Sequence, residues 1–113
     1  MDIEADKHLA DNVRKLLRSG FANNKCLTLG QCAESLEISA RSMQRRLRTI
    51  GVTFSTLIDE VRYDLAKDKL LHSHDTIEEI AKGLGFSTQE SFIRAFYRWS
   101  SISPGQFRRE GHV

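Results

Sequence analysis

Thr53-Phe54-Ser55-Thr56-Leu57-Ile58-Asp59-Glu60-Val61-Arg62-Tyr63-Asp64-Leu65-Ala66-Lys67-Asp68-Lys69-Leu70-Leu71-His72 runs without a glycine or proline. Phe54, Leu57, Ile58, Val61 and Leu65 recur at helical spacing, and Leu70 and Leu71 continue the apolar content, which predicts one long helix. Thr53 is placed to cap it, its hydroxyl accepting a first-turn N–H. About 20 residues at ~1.5 Å each make a rod about 30 Å long. The segments on its two sides resemble each other.

On the N-terminal side, Met1 to Lys7 is acidic and non-periodic and reads as a frayed lead-in. Leu9, Val13, Leu16 and Leu17 then give an amphipathic helix that Gly20 is expected to end. Thr28 and Gln31 form a capping-box pair ahead of Leu29, Cys32, Ala33 and Leu36. Glu37-Ile38 makes a tight turn. Ser39 caps the next helix, whose inner face is Met43, Leu47 and Ile50, and Gly51 closes it. Beyond the rod, Thr76 and Glu79 form a second capping box, and Ile77, Ile80, Ala81 and Leu84 repeat the earlier face. Gly85-Phe86 is the turn. Ser87 is expected to cap a helix whose inner face is Phe92, Ala95, Phe96 and Trp99, and Ser103-Pro104-Gly105-Gln106 starts a last helix anchored by Phe107.

The repeat is direct. Thr28 falls on Thr76, Ala33 on Ala81, Leu36 on Leu84, Ile38 on Phe86 and Ser39 on Ser87; one extra residue then enters, and Ser42 meets Ser91, Arg45 meets Arg94 and Leu47 meets Phe96. Capped short helix, tight turn, capped second helix is a helix-turn-helix pattern, present twice. A small alanine lets the second helix cross closely, and the apolar turn residue plugs the corner.

Subtracting the inner faces leaves the outer ones. In the first copy Arg41, Gln44, Arg45 and Arg48 form one stripe at i, i+3, i+4, i+7; in the second the outward residues include Gln89, Glu90, Arg94, Tyr97 and Arg98. Arginine can pair with guanine, glutamine with adenine, and glutamate can accept from cytosine. The helix starts at Ser39 and Ser87 offer backbone N–H groups to phosphates. Net charge is only +2, yet Ser39 to Gly51 holds four arginines and no acid, so the basic character is local and suits directed phosphate contact.

The chain resembles the AraC/XylS family of bacterial transcription regulators. The resemblance lies in Arg41-Ser42-Met43-Gln44-Arg45-Arg46-Leu47, Gly51-Val52-Thr53-Phe54 and Ile77-Glu78-Glu79-Ile80-Ala81. It is densest in Leu84-Gly85-Phe86-Ser87, Ser91-Phe92, Arg94-Ala95-Phe96, Arg98-Trp99 and Ser103-Pro104-Gly105-Gln106-Phe107-Arg108, so it covers roughly residues 8 to 109. It implies an all-α, homeodomain-like fold of seven helices, with two helix-turn-helix subdomains (8–52 and 73–109) joined by a long central helix (53–72) and followed by a tail (110–113). It implies a cytoplasmic module that binds double-stranded DNA. In it, Arg41, Gln44, Arg45, Gln89, Glu90 and Arg94 would face bases, and Ser39, Ser42, Arg48, Ser87, Ser91, Tyr97 and Arg98 would meet phosphates. An upstream effector or dimerisation domain, frequent in the family, finds no room in this length, which reads as an excised DNA-binding half or a stand-alone member.

Two positions depart from the family. Glu37 stands where a turn glycine is common, at a cost of about 1 kcal/mol if that residue is left-handed. Glu90 puts a carboxylate on the second face, where it either selects a cytosine or caps its own helix with Ser87. A rod of this length would set the two heads about one DNA turn, ~34 Å, apart, in successive major grooves of an asymmetric site.

Other classes fare worse. No nucleophile–base pair, metal cluster or phosphate loop is visible, so neither an enzyme nor a cofactor is expected. Cys26 and Cys32 fit neither a zinc pair nor a redox motif and read as reduced thiols. His72 and His74 lack the further ligands a metal needs. No apolar run nears membrane-spanning length. Phe92, Phe96 and Trp99 read as core, and Arg62 as a packing or ion-pair residue, with phosphate contact the alternative. The rival partner class is protein: RNA polymerase or another regulator docked on the same helices.

Overall fold

The computed structural model describes residues 2–111, and all regular structure among them is helical. The order is α1 (Ile3–Ala22), α2 (Leu29–Ser35), α3 (Ala40–Thr49), α4 (Phe54–His72), α5 (Ile77–Gly83), α6 (Gln89–Ser100) and α7 (Pro104–Glu110). The chain divides into two compact units inside α4, between Val61 and Arg62. The first half of α4 belongs to one unit and the second half to the other.

Helix α1 begins well before the expected start. Asp2 caps it, accepting from the Ala5 N–H at 3.1 Å. Glu4 and Asp6 lie in the first turn, where the partial positive charge of the helix N-terminus favours acids. The stretch read as a frayed lead-in is therefore helix from Ile3 on; His112 and Val113, in the expected tail, lie outside the described residues. Gly20 does not end the helix. It is buried in the last turn, where a Cβ would meet the Lys25 carbonyl oxygen at 2.8 Å and Leu27 Cγ at 2.9 Å. Its role is close approach, and the reversal falls on Asn24 instead (φ 59°).

That reversal is used repeatedly. After α1, α2, α3 and α5 the chain places one residue in the left-handed region: Asn24, Glu37, Gly51 (φ 80°) and Gly85. In each case two N–H groups fold back onto carbonyls of the final turn. Ile38 donates to Ala33 O at 3.1 Å, Val52 to Leu47 O at 3.1 Å and Phe86 to Ala81 O at 3.0 Å. This is the Schellman closure, which satisfies carbonyls that the helix end leaves unpaired. It also turns Ile38 and Phe86 back over Ala33 and Ala81, which is how the apolar turn residue plugs the corner.

In the first unit α1 packs on α2 and α3, with Leu9, Val13, Leu17, Phe21, Cys32, Ala33, Met43 and Leu47 buried, together with Leu57 and Val61 of α4. The second unit is aromatic. Ala66, Leu70, Ile80, Ala81, Leu84, Phe92 and Phe96 form its centre, and Tyr63, Phe86, Trp99 and Phe107 pack around it. Phe96 meets Phe107 edge-on at 5.3 Å and Tyr63 at 5.6 Å, the offset geometry that aromatic quadrupoles prefer. Phe92 and Phe96 are core residues, as expected.

Arg108 of α7 closes the end of α4. Its Nε donates to Leu70 O at 3.0 Å and its Nη2 to Lys69 O and Ser73 O at 3.3 Å. A guanidinium there meets both the carbonyls of the final turn and the negative end of the helix dipole. Among the described residues no helix is long and apolar enough to cross a membrane.

Candidate nucleic-acid interface

Each unit presents its second helix in the same way. Both preceding short helices open with a complete capping box. Thr28 N donates to Gln31 Oε1 at 2.9 Å and Gln31 N to Thr28 Oγ1 at 3.1 Å; Thr76 N donates to Glu79 Oε1 at 2.9 Å and Glu79 N to Thr76 Oγ1 at 3.1 Å. Glu79 is held below the usual carboxylate range by the Thr76 backbone N–H and then by the Thr76 hydroxyl.

At the start of α3, Ser39 Oγ accepts from Ser42 N at 3.0 Å. At α6 the cap is Thr88, not the expected Ser87: Thr88 Oγ1 accepts from Ser91 N at 3.0 Å and lies 2.8 Å from Ser91 Oγ. The extra residue of the second copy therefore sits in the turn, at Ser87, and Thr88 is the true counterpart of Ser39. Glu90 follows the cap by two residues rather than three, so it does not close a capping box. Its side chain is exposed.

Helix α3 buries Met43 and Leu47 and exposes Arg41, Gln44, Arg45 and Arg48, the stripe read from the sequence. Arg45 Nη2 donates to Ser42 Oγ at 3.3 Å, a light tether that orients the guanidinium. Helix α6 buries Phe92, Ala95 and Phe96 and exposes Glu90, Arg94, Tyr97 and Arg98; Gln89 and Ser91 are half-buried. Tyr97, 60% exposed, is one of two large hydrophobic side chains left open to solvent among the described residues.

Four arginines hold the fold, and of these the sequence reading assigned a packing or ion-pair role only to Arg62. Arg46, the fourth arginine of α3, leaves the stripe and turns to α1: its Nε donates to Asp6 Oδ1 at 2.7 Å and its Nη2 to Ala5 O at 3.2 Å. Arg62 donates from Nε to Leu84 O at 2.9 Å and sets its guanidinium 4.4 Å from the Phe86 ring centre, bracing the second turn. Arg108 holds the Leu70 carbonyl at the end of α4. Arg14 pairs with Glu60 and with Asp11, the latter at 2.7 Å, and the Glu60 hydrogen bond above all raises its pKa. Asp6, Glu60, Leu84 and Leu70 lie between 22 and 46 positions from their arginines, so these particular partners leave no local pattern in the sequence.

Two exposed polar helices, each set by a short capped helix and a left-handed turn, define a helix-turn-helix module in duplicate. The family model described as a helix-turn-helix domain matches residues 32–110. The ornithine utilization regulator of Pseudomonas aeruginosa is 38% identical over 108 residues, 94% of this chain and 31% of that protein. The C-terminal domain of AraT, a response regulator from Geobacillus stearothermophilus, superposes with a TM-score of 0.76 at 31% identity, covering 89% of this chain and 84% of that one. The transcriptional regulator CdpR of Pseudomonas aeruginosa gives a TM-score of 0.81 at 28% identity, over 89% of this chain and 31% of that one. The chain belongs to the AraC-type helix-turn-helix family. It spans about a third of the length of the curated relatives it matches.

Proposed function

We propose that the chain binds double-stranded DNA sequence-specifically, with α3 and α6 entering successive major grooves, and thereby regulates bacterial transcription. The observation that carries this reading is the face of α3. Arg41, Gln44, Arg45 and Arg48 are all exposed along one side of a helix that has no acid, while its other side is core. A helix of this size fits the major groove, and these side chains match base edges and phosphates. Arg41, Gln44, Arg45, Gln89, Glu90 and Arg94 are the proposed base readers. Ser39, Ser42, Arg48, Ser87, Ser91, Tyr97 and Arg98 are the proposed phosphate contacts, with Ser39 and Ser91 acting from hydroxyls that also serve the caps.

Selection of bound duplexes from a random pool at two salt concentrations tests the reading. Several arginine–phosphate contacts predict a steep fall of log affinity with log salt and an enriched, non-palindromic site spanning two groove segments. A flat salt response with no enriched site would favour the rival partner, RNA polymerase or another regulator.

A further inference from the structure

The Asp6 side chain is 6% exposed and sits against the reading helix of the first unit. Its hydrogen-bond partner among the described contacts is the Arg46 guanidinium, which is itself 32% exposed and tied a second time to the Ala5 carbonyl. Arg46 neighbours Arg45 in sequence, and both line one cleft with Asp2, Ala5, Asp6 and Thr49. The fourth cation of α3 thus shares a cleft with Arg45 of the exposed stripe and is held towards α1 by a buried acid.

We propose that Asp6 is a specificity-determining residue: it sequesters Arg46, so that α3 meets DNA with three arginines rather than four. The inference rests on the DNA-binding reading of α3. Its physical content is a division of affinity. Each cation placed on a phosphate raises binding to every sequence alike, whereas base contacts raise binding to one. Neutralising Arg46 inside the protein keeps the sequence-independent part small while the guanidinium still anchors α3 to α1. A purely structural ion pair gives the opposite sign on disruption, since a loosened α3 binds all DNA less well.

The test is the salt dependence of binding to a fluorescent random-sequence duplex. Asp6→Asn keeps an oxygen that can accept from Arg46 and removes the charge that holds it. The expected result is tighter binding and a log–log salt slope steeper by about 0.9, which enlarges the affinity loss between roughly 50 and 200 mM salt by a further factor of about 3.5. Adding Arg46→Gln to that variant returns the slope to the parent value. Arg46→Gln alone, able to keep a hydrogen bond to Asp6, leaves the slope at the parent value, while Arg48→Gln reduces it by about 0.9. A slope that is unchanged or shallower in Asp6→Asn overturns the proposal, and so does a drop in Arg46→Gln equal to that in Arg48→Gln. If the parent chain itself shows no salt-dependent binding to duplex DNA, the DNA-binding reading falls and this inference falls with it.

Discussion

Glu37 and Gly85 occupy the same left-handed position in the two copies, at φ 58° and φ 82°. Each donates its N–H to the carbonyl three residues back, Glu34 O and Lys82 O, both at 3.1 Å. Only one of the two is a glycine. A side chain in this region brings Cβ against the backbone at a cost of about 1–2 kcal/mol, while glycine adds unfolded-state entropy of about 0.5–1 kcal/mol. Glu37→Gly is therefore expected to stabilise the first unit by about 1 kcal/mol, read as a rise in the urea or thermal midpoint. By the same balance Gly85→Ala is expected to destabilise the second by about 1 kcal/mol. A loss of stability in Glu37→Gly would show that the glutamate side chain makes up for its backbone.

The proposed division of labour on the reading faces is separable by mutation. Arg45→Ala and Arg94→Ala are each expected to cost about 1–3 kcal/mol on a selected target and to relax the preference at one base pair. Arg48→Ala should weaken target and random DNA by the same factor and make the salt slope shallower by about one. Competition binding against single-substitution targets measures both. Equal losses on target and random DNA for Arg45→Ala would move that residue to the phosphate class.

Acid should loosen one copy before the other. The folded-state pKa of Glu79 is depressed by the Thr76 backbone N–H, so its contribution is fully present above the ordinary glutamate value of about 4.3. It is lost as the pH falls through the lower folded-state value. Gln31 fills the same place in the first copy and does not titrate. Hydrogen exchange at the Thr76 amide is expected to accelerate in acid relative to the Thr28 amide, after correction for intrinsic rates, and Glu79→Gln should abolish the difference. Equal behaviour of the two amides in the parent chain would contradict this.

Arg62 joins α4 to the second turn through the Leu84 carbonyl and the Phe86 face. Arg62→Met keeps the stem but loses the donor and the cation. We expect a cost of about 1–3 kcal/mol. The loss should appear as faster exchange at Phe86 with Ile38 unaffected, and the DNA salt slope should not change. A shallower slope would instead make Arg62 a phosphate contact.

Much of this molecule is local in origin. The capping pairs Thr28–Gln31 and Thr76–Glu79, Pro104 at a helix start and the apolar faces of α2, α3, α5 and α6 all act over three or four residues, and each appears where the residues place it. The exposed stripe of α3 follows from the same periodicity. The departures are also local. A glycine at position 20 fits a helix stop and close packing on Leu27 equally well in sequence, and only the tertiary contact separates the two. Ser87 and Thr88 are adjacent residues of equal capping ability, and the position of the inserted residue decided between them.

What the chain alone determined, then, is the duplicated pattern of short helix, turn and polar second helix, because hydrogen bonding and side-chain periodicity within a turn or two are written in consecutive residues. The assignment of the arginines belongs to tertiary structure. Arg46 meets Asp6 across 40 positions, Arg108 meets Leu70 across 38 and Arg62 meets Leu84 across 22. The arginines in and around these helices look alike in sequence. Only packing, which brings a buried carboxylate or an unpaired carbonyl within 3 Å of some guanidinium groups and leaves others in solvent, separates those that hold the fold from those left to read a ligand.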